Sequence, residues 1–268
     1  MSVGLYCKFS GGVVVVSDGF EYNPKTWEKR TDSTKFFIFK KPFGQGVLIC
    51  TGNPELSKRA LAEADSVEEM TLLDFAKGCA DFLRKEADRV TSHPRETEKM
   101  LEQTPMLIAG YDRTTESFPS HQISRGYHTE LKGADFFSIG IGANYAFSGK
   151  LKKQPESLEE AIQSALLAYA NSLKIRGVEG YPRMQIVGTD EVTTLDAPTC
   201  TFLGNLAVLD LLTGSNFLKT EVEIMPASEK QVSPAVVEKL KEIGMSPSIL
   251  FKTQMTVSTW QEILGPKA

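Results

Sequence analysis

The sequence predicts an α+β fold in which two antiparallel sheets lie between helices on their outer faces. Three observations carry this. The chain opens on a β-rich stretch with four consecutive valines at 13–16, which suits a strand buried on both faces. Up to residue 190 the order is four strands, two helices, several strands, a helix and a strand. Strands and helices that come in runs argue for layers, not for a βαβ parallel sheet. Two of the helices carry an apolar stripe at helical spacing, so each has one face to bury against a sheet.

Residues 3–9 and 12–17 read as two strands of a hairpin around "SGG". "EYNPKTWEKRTDST" reads as a loop with turn chemistry at Asn23-Pro24. "KFFIFKK" and "GVLICT" make a second strand pair, with "PFGQ" as the turn. A helix follows, with Asn53 as N-cap and Pro54 in the first helical position. The next helix spans 66–90, with Ser66 and Glu69 as capping box and Met70, Leu73, Ala76, Ala80 and Leu83 as its stripe. Strands are expected in 104–112, 120–130 and 134–142. A third strong helix covers 157–173, with Ser157 and Glu160 as capping box and Leu158, Ile162, Ala165, Leu166 and Tyr169 on its apolar side. Residues 183–189 return to a strand. Beyond 190 the sequence predicts a strand at 218–225, a helix opened by Pro234 and closed by Gly244, and a tail. No repeat or linker divides the chain. Residues 1–190 form the main domain, and 191–268 an extension that completes or decorates it.

Of the 268 residues, 41% are hydrophobic and 24% charged, the balance of an ordinary globular protein. The net charge of −4 argues against a nucleic-acid partner. The four cysteines (Cys7, Cys50, Cys79 and Cys200) form no CxxC pair. The histidines (His93, His121 and His128) stand far from them in sequence, so neither a zinc site nor any other cofactor is expected. Cys7 and Cys50 sit in apolar runs and read as small buried hydrophobes. No basic-then-apolar leader and no apolar run of about 18 residues is present, so a cytoplasmic location without membrane contact is expected.

The chemistry-bearing residues lie near the start. Ser2 becomes the first residue if Met1 is removed, Asp18 ends the second strand and Lys35 begins the third. Adjacent antiparallel strands can bring all three to one end of a sheet. A serine hydroxyl needs a base, and a free α-amino group, with an ordinary pKa of about 7.7–8.0, can be one near neutral pH. Lys35 would favour ionisation by its charge, and Asp18 would hold the lysine charged and oriented. Gly52 in "TGNP" offers a backbone N–H as an oxyanion donor, with no side chain in the way. Each residue also has a structural reading: a tolerated second residue, a turn aspartate before Gly19, a solvated strand end and a helix-entry glycine.

The pattern resembles the proteasome-type peptidases, and among them the short bacterial proteasome-like proteins of the Anbu type. The segments that carry the resemblance are "GGVVVVSD", "TKFFIF", "VLICTGNPELSKRAL", "PMLIAGYD" and "SIGIGANYA", within residues 2–190. The resemblance implies a four-layer αββα sandwich of the Ntn-hydrolase type, self-assembly into rings or spirals, and ATP-independent hydrolysis of peptide or amide bonds. It makes Ser2 the nucleophile and its own amine the base, with Asp18 and Lys35 tuning it and Gly52 as oxyanion donor. Cys50 would line the pocket for the residue before the scissile bond. The chain departs from the pattern in four places. Serine replaces the usual threonine, and Gly19-Phe20 follow Asp18 where a polar residue is common. Ile141 stands where the family often has a serine, and no aspartate lies near the end of the third helix, where Asn171 and Ser172 are the nearest polar residues. Two other functions remain open: a non-catalytic scaffold subunit of the same fold, and an amidase of small molecules using the same N-terminal chemistry.

Overall fold

The computed structural model describes residues 2–19, 21–22, 29–30, 35–64, 71–91, 93–147, 154–175, 178–223, 232–251 and 254–264. It opens with the hairpin β1 (Val3–Phe9) and β2 (Gly12–Asp18), paired from Gly4–Ser17 to Phe9–Gly12. A short ribbon, β3 (Glu21–Tyr22) against β4 (Lys29–Arg30), stands where the sequence suggested only a loop; Asn23 and Pro24 lie outside the described residues. The second hairpin is β5 (Phe36–Lys41) and β6 (Gly44–Cys50). Helices α1 (Pro54–Ala64), α2 (Leu72–Val90) and α3 (Pro94–Glu102) follow. Then come β7 (Met106–Asp112), β8 (Ser120–Ser124), β9 (Tyr127–Glu130), β10 (Phe136–Gly140), α4 (Ala143–Ala146) and α5 (Leu158–Ser172). The remaining elements are β11 (Pro182–Val187), β12 (Val192–Leu195), α6 (Ala197–Thr213), α7 (Phe217–Glu223), α8 (Pro234–Glu242), a 3-10 turn at Pro247–Phe251 and α9 (Val257–Leu264).

Two antiparallel five-stranded sheets result, in the orders β10-β1-β2-β11-β12 and β5-β6-β7-β8-β9. Side-chain alternation along each strand separates three apolar cores. Tyr6, Val13 and Val15 meet Val47, Ile49 and Leu107 between the sheets. Leu5, Cys7, Val14 and Val16 point the other way, into the layer of α5 and α6. Leu48, Cys50, Met106 and Ile108 point into the layer of α1 and α2. All four valines at 13–16 are fully buried, as a strand between a helix layer and a second sheet requires. The molecule is therefore the expected helix–sheet–sheet–helix sandwich.

The local signals hold in part. The Asn53 side chain accepts from Leu56 N–H at 3.2 Å, and the Ser157 hydroxyl accepts from Glu160 N–H at 3.3 Å. The second helix starts later than expected. Its capping box is Thr71 with Asp74, whose side chains and backbone N–H groups bond reciprocally, whereas Ser66 and Glu69 lie outside the described residues. Residues 120–130 fold as two strands around Arg125-Gly126, not one. Helix α3 has no counterpart in the sequence reading, because Leu101 is its one buried residue and no stripe can form.

The largest corrections fall beyond 190. Residues 218–225 alternate like a strand, yet Phe217–Glu223 is a helix: Asp210 accepts from the Phe217 and Leu218 N–H groups, both at 2.8 Å, and so caps its first turn. Leu218 and Val222, four apart, face the core. Helix α6 escaped notice because it is apolar all round, with every residue from Thr199 to Asp210 buried. Strand β12 pairs with β11, and α6 packs on α5 and β11. Residues just past 190 thus complete the sheet and its helix layer.

Candidate active site

The site sits where the ends of both sheets meet. Gly4 pairs with Ser17, so the next step of the register sets Val3 beside Asp18, and the Val3 N–H donates to Asp18 Oδ1 at 2.9 Å. Lys35 does not share a sheet with Ser2 and Asp18, contrary to what the sequence suggested: it enters from the other sheet, immediately before β5, because the two sheets stack face to face, and its carbonyl accepts from Cys50 N–H at 3.1 Å. Its ammonium donates to Asp18 Oδ2 at 2.9 Å and to Ser2 Oγ at 2.5 Å. Ser2, Asp18 and Lys35 are 4%, 0% and 7% exposed. Lys35 and Asp18 are therefore neither a solvated strand end nor a turn aspartate open to water, but a buried ion pair. Burial pushes the Asp18 carboxyl above its ordinary value, while the Lys35 ammonium and the Val3 N–H pull it back.

The backbone of Ser2 is fixed as well. Its carbonyl accepts from Ile141 N–H at 2.9 Å, and Val3 pairs with Gly140 at the end of β10. Gly140 has φ +92°, and a Cβ there would lie 2.2 Å from the Ser2 carbonyl oxygen, so no other residue fits unstrained. Gly52 is glycine for a nearby reason. A Cβ on it would lie 1.8 Å from the Gln103 carbonyl, which accounts for the residue type whether or not its N–H serves a substrate.

Cys50 is 1% exposed and packs with Leu48, Leu56 and Ala60 on the α1 side of the sheet, away from the inter-sheet face. Of the two polar residues ending α5, Asn171 donates to the Ala146 carbonyl at 3.4 Å. Ser172 is fully buried and donates to the Ala168 carbonyl at 2.8 Å. Its Cβ and that of Val3 both border the space beside Gly142. Ile141 is exposed by 45% and brings no hydroxyl to the N-terminus. Sequence reasoning missed Thr51, a buried threonine beside Gly140; the only trace it left is one polar residue at the end of an apolar strand.

Among the described residues no cluster of three or more His, Cys, Asp or Glu could hold a metal, and no helix is long and apolar enough to cross a membrane. The cysteines are all buried thiols.

No protein-family model and no curated protein matches the chain. Solved structures do. An Anbu (Gly-1) mutant from Hyphomicrobium sp. strain MC1 aligns with 83% of this chain and 100% of its own, at 17% identity and a TM-score of 0.62. Anbu from Yersinia bercovieri, described as an ancestral beta-subunit, aligns with 85% of this chain and 99% of its own, at 15% identity and a TM-score of 0.62. A second structure of the Hyphomicrobium protein aligns with 79% and 96%, at 17% identity and a TM-score of 0.61. At these identities the likeness concerns the fold alone: this chain shares the two-sheet sandwich of the Anbu proteins.

Proposed function

We propose that this protein is a self-compartmentalising hydrolase of peptide or amide bonds whose nucleophile is Ser2, freed by removal of Met1. The observation that supports it most is the buried chain from Asp18 through the Lys35 ammonium to the Ser2 hydroxyl. A structural ion pair has no need to end on a hydroxyl at the first position of the mature chain.

In this reading the Ser2 amine takes the hydroxyl proton while Oγ attacks the substrate carbonyl carbon. Lys35 favours the developing alkoxide by its charge, and Asp18 keeps Lys35 charged and aimed. The Gly52 N–H stabilises the oxyanion. The amine then gives its proton to the leaving nitrogen, the C–N bond breaks, and an ester remains on Ser2. Water, deprotonated by the same amine, cleaves that ester and restores the hydroxyl. Cys50 would form the floor of the pocket for the residue before the scissile bond, which favours small to medium apolar side chains there. Residues 1–190 would carry the site, and the chain would assemble with itself into a ring or spiral in the cytoplasm.

The test compares untagged protein with Ser2→Ala on peptide amides carrying an apolar residue before the cleaved bond. A tag would block the amine. Turnover by the unsubstituted protein and none by the variant is the expected result, together with a solution mass that is a multiple of 29.5 kDa. Turnover of small amides alone would make the protein a small-molecule amidase. A second reading, a non-catalytic scaffold, draws on Ile141 and on Ser172, whose hydroxyl is directed to its own helix. It requires assembly without turnover of either substrate.

A further inference from the structure

Thr51 lies between Cys50 and Gly52 and is 7% exposed, yet among the described residues its buried hydroxyl oxygen has no hydrogen-bond partner. Buried hydroxyls are nearly always satisfied, so this one points to a partner that arrives in another state of the molecule. Its surroundings narrow the choice. From the point where Gly140 would carry a Cβ, the Thr51 Cβ lies at 3.2 Å and the Ser2 carbonyl carbon at 3.0 Å. Thr51 and Ser2 therefore flank the same space, kept open by the missing side chain of Gly140.

The Thr51 oxygen is enclosed, and Ser2, at 4% exposure, is a buried neighbour whose polar groups change when Met1 leaves. The Ser2 carbonyl accepts from Ile141 N–H, and its hydroxyl accepts from Lys35. Removal of Met1 changes the remaining polar group of Ser2. An amide nitrogen with one donor becomes an amine with two, or an ammonium with three, and these need further acceptors. Ile141 supplies no side-chain acceptor.

Resting on the N-terminal-nucleophile reading, we propose that Thr51 is a positioning residue: its hydroxyl accepts a hydrogen bond from the freed amine of Ser2 and holds it beside Oγ. Valine at 51 keeps the shape and removes the acceptor; serine keeps the acceptor. An N-terminal fusion cut directly before Ser2 gives the free-amine chain whatever a cell does with Met1, and the chain that keeps Met1 is the control.

The first readout is the rate at which N-acetoxysuccinimide acetylates the Ser2 amine at one pH below 7, followed by the mass of the N-terminal peptide. A hydroxyl acceptor favours the charged, unreactive amine. Thr51→Val should therefore raise the rate about tenfold, and Thr51→Ser should restore it. The second readout is the thermal midpoint. Thr51→Val should raise it in the Met1-bearing chain, where it removes an unpaired hydroxyl, and lower it in the free-amine chain. Equal acetylation rates, or midpoint shifts of the same sign in both chains, would overturn the proposal. Should the valine variant not fold, Thr51→Ala carries the same comparison. Labelling of Ser2 by a β-lactone reads the nucleophile separately. An unlabelled Ser2 with a Thr51-sensitive amine removes the hydrolase and keeps the contact, and a labelled Ser2 with an insensitive amine does the reverse.

Discussion

Two buried carboxylates, Asp18 and Asp210, meet the same physical problem differently. Both lie almost wholly out of water, and burial raises both above the ordinary carboxyl value. Asp210 places both oxygens on backbone N–H groups, those of Phe217 and Leu218, and so starts α7. Asp18 places one oxygen on the Val3 N–H and the other on the Lys35 ammonium, which reaches on to the Ser2 hydroxyl. A carboxylate satisfied wholly by backbone builds a fold. One that orients a buried cation against a side-chain hydroxyl is the arrangement on which the proposed nucleophile rests. Asn205 belongs with Asp210: it donates to the Leu250 carbonyl and accepts from Met255 N–H and Trp260 Nε1–H, fastening the C-terminal helices to α6.

The comparison breaks if substitutions in the two regions act alike. Lys35→Met should lower β-lactone labelling of Ser2 at least about 100-fold, since it removes the charge that favours the alkoxide. Peptide mapping after a timed exposure reads this, and an unchanged rate would make the buried ion pair merely structural. Gly140→Ala, with a Cβ driven against the Ser2 carbonyl, should displace Ser2 and slow its labelling about tenfold or more. Asn205→Ala should leave labelling untouched and destabilise the protein by about 3 kcal/mol, read from urea unfolding, because it strands the buried Leu250 carbonyl and Trp260 indole N–H and the part-buried Met255 N–H.

The smallest effect sharpens the contrast by pH. The folded carboxyl of Asp210 lies above its unfolded value of about 3.9, so its contribution to stability is fully present below that pH and is lost as pH rises through the folded value. Asp210→Asn should flatten that fall in thermal midpoint against pH, leaving the part that belongs to Asp18. A curve of unchanged slope would show that Asp210 does not titrate differently on folding.

The site region was far more legible in the sequence than the C-terminal one. Strands expose their pattern locally: four valines in a row, a lysine before an apolar strand and an aspartate at a strand end sit within 35 residues. Antiparallel pairing of β1 with β2 brings Ser2 beside Asp18, but Lys35 reaches them from the second sheet, which no strand pairing within one sheet predicts. The layers followed from where those strands and the stripes of α2 and α5 had to be buried. Helix α6 gave no such signal, because a helix covered on all sides has no polar face to set a period. The strand-like alternation at 218–225 misled for the same kind of reason. What makes it a helix is Asp210, a tertiary cap that no local window contains. Thr51 was invisible for a third reason, since its significance lies in contact with Gly140, distant in sequence.

The most direct measurement is mass spectrometry of untagged protein after treatment with a hydroxyl-reactive β-lactone, with intact mass and peptide map taken together. Loss of Met1 and one covalent adduct on the peptide that begins at Ser2 is the expected result. Met1 retained, or a free Ser2 left unlabelled in an assembled protein, would contradict the hydrolase and leave Asp18 and Lys35 as the buried end of a sandwich.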